Sequence, residues 1–156
     1  MPVYRLKRSQ ISAWLKLRSA LWPAASSDAH RREMADILAD EEFNAVFVSA
    51  ERSGRLTGFI EVSLRLTAEG CRTSPVGYLE GWYVVPGARR KGISRALLAK
   101  AETWSASRGC REMASDCEME NEIGRGTHRG LGFEEVARLA HFRKPLPPKK
   151  PVNQIP

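Results

Sequence analysis

The sequence predicts an α/β domain of the mixed α+β type, one sheet flanked by helices, in a single unit of residues 1–144. Three observations carry this. The strand-like runs come in groups, in the order β α α β β β α β α β, and do not alternate one for one with helices. The clearest helical periodicity, over residues 92–108, sits between two apolar runs that read as strands. With 156 residues and 42% hydrophobic content, the chain is long enough to bury one substantial core.

Residues 3–8 alternate apolar and basic side chains, the period-two pattern of a strand with one wet face. Ser9 is placed to cap a helix carrying Ile11, Trp14, Leu15, Leu17 and Leu21, which Pro23 stops. Ser26, Ser27 and Asp28 cap a second, shorter helix through Met34, Ile37 and Leu38. Residues 43–50 and 56–66 read as strands joined by a hairpin through Ser53-Gly54. After a loop at 70–75, residues 76–85 form a strand that Pro86 ends. In the next helix Ile93, Ala96, Leu97, Ala101 and Trp104 share one face, Trp104 reads as core, and Gly109 terminates. Residues 113–117 read as a short strand, 121–131 as a helix, and 133–144 as one or two closing strands. Pro145-Leu146-Pro147-Pro148 breaks regular structure, so 145–156 are expected as a mobile tail.

Composition narrows the partners. No run approaches the ~18 apolar residues of a membrane span, and no secretory leader is visible, so a cytoplasmic protein is expected. Cys71, Cys110 and Cys117 are odd in number and lack CxxC spacing, which argues against a disulfide framework and a zinc site. A net charge of +7 calls for an anionic partner: nucleic acid, a membrane surface or a phosphate-rich cofactor. No nucleic-acid motif is present. Against that basic background, Glu112, Asp116, Glu118, Glu120 and Glu122 crowd into one short stretch, a place suited to a cation.

The segment YVVPGARRKGISRALL carries the strongest chemical signal. A strand ends, a basic turn of Arg89, Arg90 and Lys91 follows, and Gly92 opens a helix. Free N–H groups and the helix dipole favour a phosphate there, and Gly92 has no side chain to hold it off. Val85-Pro86-x-x-Arg89-x-x-Gly92 resembles the acetyl-CoA signature of the GCN5-related N-acetyltransferase (GNAT) superfamily, with Ser94 where the family usually has Gly or Ala. The run from His128 to Phe133 resembles that family's Tyr-x-x-x-Gly-Phe ending. The resemblance implies a GNAT fold, a splayed mixed sheet flanked by helices, with acetyl-CoA lying where two strands part. It implies that backbone groups of Trp82, Tyr83 and Val84 pair with the pantetheine. Arg89, Arg90, Lys91, Gly92, Ile93, Ser94 and Arg95 would hold the pyrophosphate. Asn121 would contact the pantetheine end, and His128 stands where many members use a Tyr to protonate the CoA thiolate.

Further clusters narrow the match. Leu79-Glu80-Gly81, the run Cys110 to Asp116, Glu120-Asn121 and the run His128 to Glu135 resemble aminoglycoside 6'-N-acetyltransferases, as do Leu21-Trp22-Pro23 and Asp28-Ala29-His30. By that resemblance Glu80 takes a proton from the substrate ammonium, Asp116 holds a substrate amine, and Trp22 and Glu135 line the substrate side. Acetyl-CoA and a polycationic aminoglycoside are then the two partners, without metal, and a homodimer is implied in which residues 133–144 pair across subunits. The chain departs from these relatives in residues 66–70, which carry no Tyr, and in 141–144, which also lack one. Two other readings stay open: an acetyltransferase for another amine, such as a polyamine or a peptide, and a basic CoA- or nucleic-acid-binding module without turnover.

Overall fold

A computed structural model describes residues 1–149; the end of the expected tail, 150–156, lies outside the described residues. Five strands form one sheet in the order β1 (Val3–Arg5), β2 (Asn44–Ala50), β3 (Leu56–Arg65), β4 (Val76–Val84) and β5 (Met113–Ser115). The first three pairings are antiparallel and β4–β5 is parallel, so the sheet is mixed. Four helices cover it: α1 (Ile11–Leu21), α2 (Ser27–Ala39), α3 (Ile93–Ser107) and α4 (Glu122–Gly130).

Each sheet face buries its own cluster. One face sets Ala45, Phe47, Ile60, Val62 and Leu79 against Leu97, Leu98, Ala101 and Trp104 of α3. The other sets Val46, Val48 and Phe59 against Trp14 and Leu17 of α1 and Met34 of α2. Each large apolar side chain so buried contributes roughly 1.5–3 kcal/mol. The clusters explain why β2 reads as continuously apolar, since six of its seven residues are buried between two helical layers.

Local signals set most boundaries. Ser26 caps α2 by accepting the Ala29 N–H at 3.1 Å. Gly54 (φ 87°) turns the β2–β3 hairpin, and Gly109 (φ 86°) lets the chain leave α3. Three expectations change. The first strand stops at Arg5, because a 3-10 turn over Arg8–Gln10, tied by the Lys7 N–H to Gln10 Oε1, leads into α1 after Gln10 and not after Ser9. The second helix is longer than the first, 13 residues against 11.

The third change is larger. Residues 133–149 hold no strand. Phe133 still packs on the α3 cluster, but Val136, Leu139 and Phe142 are exposed, Phe142 by 95%. Period-three spacing puts these apolar residues on no single strand face; Val136 rests against Gly70, while Leu139 and Phe142 stay exposed.

Candidate active site

The β4–β5 pairing covers only Gly77–Leu79, so the sheet splays from Glu80 onward and leaves one edge of β4 open. The Val85 N–H bonds to the Thr57 carbonyl, which fixes the alternation of the β3–β4 ladder. Trp82 and Val84 therefore point their backbone groups to the open side. Tyr83 directs its own to β3, contrary to its expected place on the cofactor edge. Arg89 folds back and donates from Nε to the Val84 carbonyl at 2.9 Å, so that side chain braces the end of β4.

Beyond the open edge, a cavity of about 270 Å³ is lined by Val84, the turn at Arg89, Arg90 and Gly92, the start of α3 at Ile93, Ser94 and Arg95, and Thr127, Gly130 and Leu131 near the end of α4. Arg90 (φ 59°) and Gly92 (φ 77°) both adopt left-handed backbone, the alternation that turns successive N–H groups toward one point. The first α3 residue with a backbone partner for its N–H is Ala96, to the Gly92 carbonyl. Lys91 reaches back to the Gly87 carbonyl at 3.1 Å, which leaves Arg90 and Arg95 as the cations of the turn whose side chains make no hydrogen bond among the described residues. A basic N–H cradle opening from a splayed strand edge fits a pyrophosphate joined to an extended amide chain.

Two residues expected at the cofactor have structural partners. Asn121 caps α4, its Oδ1 accepting the Gly124 N–H at 2.8 Å. His128 bridges α4 and β5: Nδ1 lies 2.7 Å from the Gly124 carbonyl and Nε2 2.9 Å from Ser115 Oγ. A carbonyl only accepts, so Nδ1 carries a proton and Nε2 faces the Ser115 hydroxyl. Its ring also packs edge-on to Trp82 and Phe133, holding the mouth of the splay.

The acidic pole is built by a β-bulge. Glu61 pairs with Gly81 and Val62 with Leu79, so Glu80 is the extra residue on β4. Glu80 Oε1 accepts from Ser63 Oγ at 2.5 Å and Arg65 Nε at 3.0 Å, and Oε2 accepts from Arg65 Nη2 at 2.7 Å. The Arg65 guanidinium lies 3.4 Å from the Tyr78 ring centroid. Tyr78 in turn donates its hydroxyl to Asp116 Oδ2 at 2.6 Å, and burial followed by that bond pushes the phenol further up, so it stays a donor. Glu80 and Asp116 thus belong to one cluster. Ser63, Arg65 and Tyr78 complete it and were not foreseen, although pairing the 56–66 and 76–85 runs as antiparallel neighbours would have brought them together.

Trp22 lies beside this pole, stacked near His30 and edge-on to Phe59, with its ring flush on Gly81. A Cβ at Gly81 would stand 3.0 Å from Trp22 Cζ2 and closer still to Cη2, so only glycine admits the indole. The other acids have separate tasks. Glu112 accepts from the backbone of Arg72 and Thr73, fastening the 70–75 loop, and its bonds to Thr73 and Arg72 hold its carboxyl below the usual range. Glu135 is held by Arg138 at 2.5 Å, Arg129 at 3.2 Å and Arg125 at 3.8 Å; among the described residues no contact joins it to Glu80 or Asp116.

Comparison with known proteins decides the family. The model of the acetyltransferase (GNAT) family matches residues 11–133, most of the chain and all of the cleft. The chain belongs to the GNAT acetyltransferases. Over 138 residues it is 46% identical to an aminoglycoside N(6')-acetyltransferase type 1 of Stenotrophomonas maltophilia, covering 88% of each chain. It is 42% identical over 137 residues to the enzyme of that name from Klebsiella aerogenes, covering 86% of this chain and 90% of that one. Among solved structures it resembles AAC(6')-Iy in complex with the bisubstrate analog CoA-S-monomethyl-acetylneamine, with TM-score 0.87, 36% identity and 93% and 98% coverage. It is also similar to apo AAC(6')-IG of Acinetobacter haemolyticus, with TM-score 0.88, 34% identity and 94% and 100% coverage. The GNAT fold and the mixed sheet expected from the sequence are therefore the observed ones. Among the described residues, no helix is long and apolar enough to cross a membrane.

Proposed function

We propose that this protein acetylates the 6'-amino group of aminoglycosides with acetyl-CoA by direct transfer, a reaction that confers resistance to these drugs. The observation that carries the reading is the two-pole cleft: a cationic N–H cradle at Arg90–Arg95 and a carboxylate cluster at Glu80–Asp116, set along one open strand edge. Relatives named for this activity match nearly end to end.

When bound, acetyl-CoA supplies an acyl thioester. The cradle with Arg90 and Arg95 would hold its phosphates, and the open-edge groups of Trp82 and the N–H of Val84 its amide chain. Asp116 and Glu80 would accept hydrogen bonds from substrate ammonium groups. An aliphatic ammonium has a pKa near ~10, so it must lose a proton before its lone pair attacks. Glu80 takes that proton, directly or through water. The outward N–H groups of the β4 edge donate to the carbonyl oxygen as negative charge develops on it. Cys71, Cys110 and Cys117 are unpaired thiols that burial pushes up in pKa, which supports direct transfer over an acetylated cysteine. Unpaired thiols also support a cytoplasmic location.

The partner of segment 133–149 in this reading is a second copy of the chain, whose sheet edge would cover Val136, Leu139 and Phe142.

The deciding assay is thiol release from acetyl-CoA with a panel of aminoglycosides, polyamines and peptides, with the acetylated position mapped. Release with polyamines alone would transfer the activity to that substrate class, and ping-pong kinetics would end the direct-transfer mechanism. Glu80→Gln is expected to lower turnover by about 10²-fold or more while acetyl-CoA binding is kept.

A further inference from the structure

The carboxylate proposed to receive a substrate ammonium already holds a cation. Arg65 takes both Glu80 oxygens, Nε on one and Nη2 on the other, and Ser63 occupies a further lone pair. The guanidinium lies flat on Tyr78, whose hydroxyl is bound by Asp116, so it sits between the two acids assigned to substrate. A guanidinium on a carboxylate and over an aromatic face makes the contacts that an incoming ammonium would make.

We propose that Arg65 is a specificity-determining residue, a resident cation that holds the substrate ammonium's place on Glu80 and is exchanged for it on binding. This rests on the reading of the site as an amine acetyltransferase. Geometry explains why the exchange is feasible. Arg65 and Glu80 are 43% and 35% exposed, so the pair stands at the cleft surface and is not locked in the core. Ser63 and the bulge keep Glu80 aimed when the guanidinium leaves. Exchange also keeps the charge around Glu80 constant, so the empty site is not an open anion that collects any passing cation. Weak monovalent cations fail to compete with a bidentate fork already in place, whereas an ammonium anchored by the rest of a polycation succeeds.

Every ammonium that reaches Glu80 must displace Arg65, so removing Arg65 should tighten binding. A half-exposed pair is worth a factor of roughly 1.5 to 5 in affinity. The experiment is calorimetric titration of neamine into wild type, Arg65→Gln, Arg65→Lys, Glu80→Gln and the Arg65→Gln/Glu80→Gln double variant, with melting curves and CoA binding as fold controls. Arg65→Gln should bind neamine about 1.5- to 5-fold more tightly. Arg65→Lys, which keeps the charge, should stay nearer wild type and reports if the Gln variant misfolds. In the Glu80→Gln background the gain should vanish, because no carboxylate remains to be vacated. Unchanged or weaker binding by Arg65→Gln overturns the proposal and makes Arg65 a support for Glu80. An equal gain in both backgrounds also overturns it, since the guanidinium would then act by its general field. Thiol release run in parallel reports the transferase reading alone: a wild type that binds neamine and releases no thiol sinks that reading without touching the exchange.

Discussion

Replacing Glu61 by glutamine should change how stability responds to pH. Glu61 is 3% exposed beneath the bulge, accepting from Trp14 Nε1 at 2.9 Å with Arg18 Nη1 at 3.3 Å. Burial is the largest influence and outweighs the lowering by Arg18 and Trp14, so the carboxyl is raised from 4.5 to about 7. The carboxylates of Glu33, bound to the other Nη of Arg18 at 2.5 Å, and of Glu80 push in the same direction as burial. The folded chain therefore binds this proton more tightly than the unfolded chain does. Such a group stabilises the fold fully below its unfolded pKa, and the contribution is lost as pH rises through the folded value. The window runs from 4.5 to about 7. At ~1.36 kcal/mol per pH unit, the part lying between about pH 5 and about pH 8 amounts to about 2–3 kcal/mol. Urea unfolding of both proteins at those two pH values measures it. At the lower pH, the protonated Glu61 side chain and the glutamine that replaces it are near-isosteres, and the curves should nearly coincide. At the higher pH the variant should be more stable by about 2–3 kcal/mol, since all other titrating groups cancel in the comparison. An equal gap at both pH values would refute the argument that burial governs this carboxyl.

Gly81→Ala should push Trp22 off β4, costing about 1–3 kcal/mol and shifting the tryptophan emission; an unmoved spectrum and melting point would show that the indole yields freely. Arg90→Gly should relieve left-handed strain and raise stability by about 1 kcal/mol while weakening CoA binding, read by thermal melts and titration. If two copies pair as proposed, Phe142→Asp should turn a dimer into a folded monomer by light scattering; a native chain that is already monomeric, or a dimeric variant, would remove this segment from the interface.

The sequence was most legible where one local rule acts alone. The apolar face of α3, the Gly92 turn and the Ser26 cap are set within a few residues and are found in the structure, except that on α3 Ala96 is exposed and Leu98 is buried in its place. Chemistry fixed by strand pairing was half visible. Glu80 and Asp116 stood out as carboxylates near a motif, but Ser63, Arg65 and Tyr78 reach them only through a register that local pattern does not specify. Asn121 and His128 show the converse: their positions suggested the cofactor, and their nearest partners are the cap of α4 and the β5–α4 bridge. Residues 133–144 misled because their apolar content resembles a strand's, whereas Val136, Leu139 and Phe142 recur at period three and offer no single face to lay along the free edge of β5.

The bulge on β4 has one more meaning. Without Glu80 the remaining residues alternate normally: Tyr78 and Gly81 face the α1 side, Leu79 and Trp82 the α3 side, and Tyr83 the α1 side again. Glu80 is thus an interpolated letter in a word that spells the same core without it. The two helical layers place no demand on that side chain, so substitution there is free to alter chemistry while the scaffold stands. A lineage sampling new amine substrates would find position 80 among the least constrained in the strand, although it lies at the centre of the cleft.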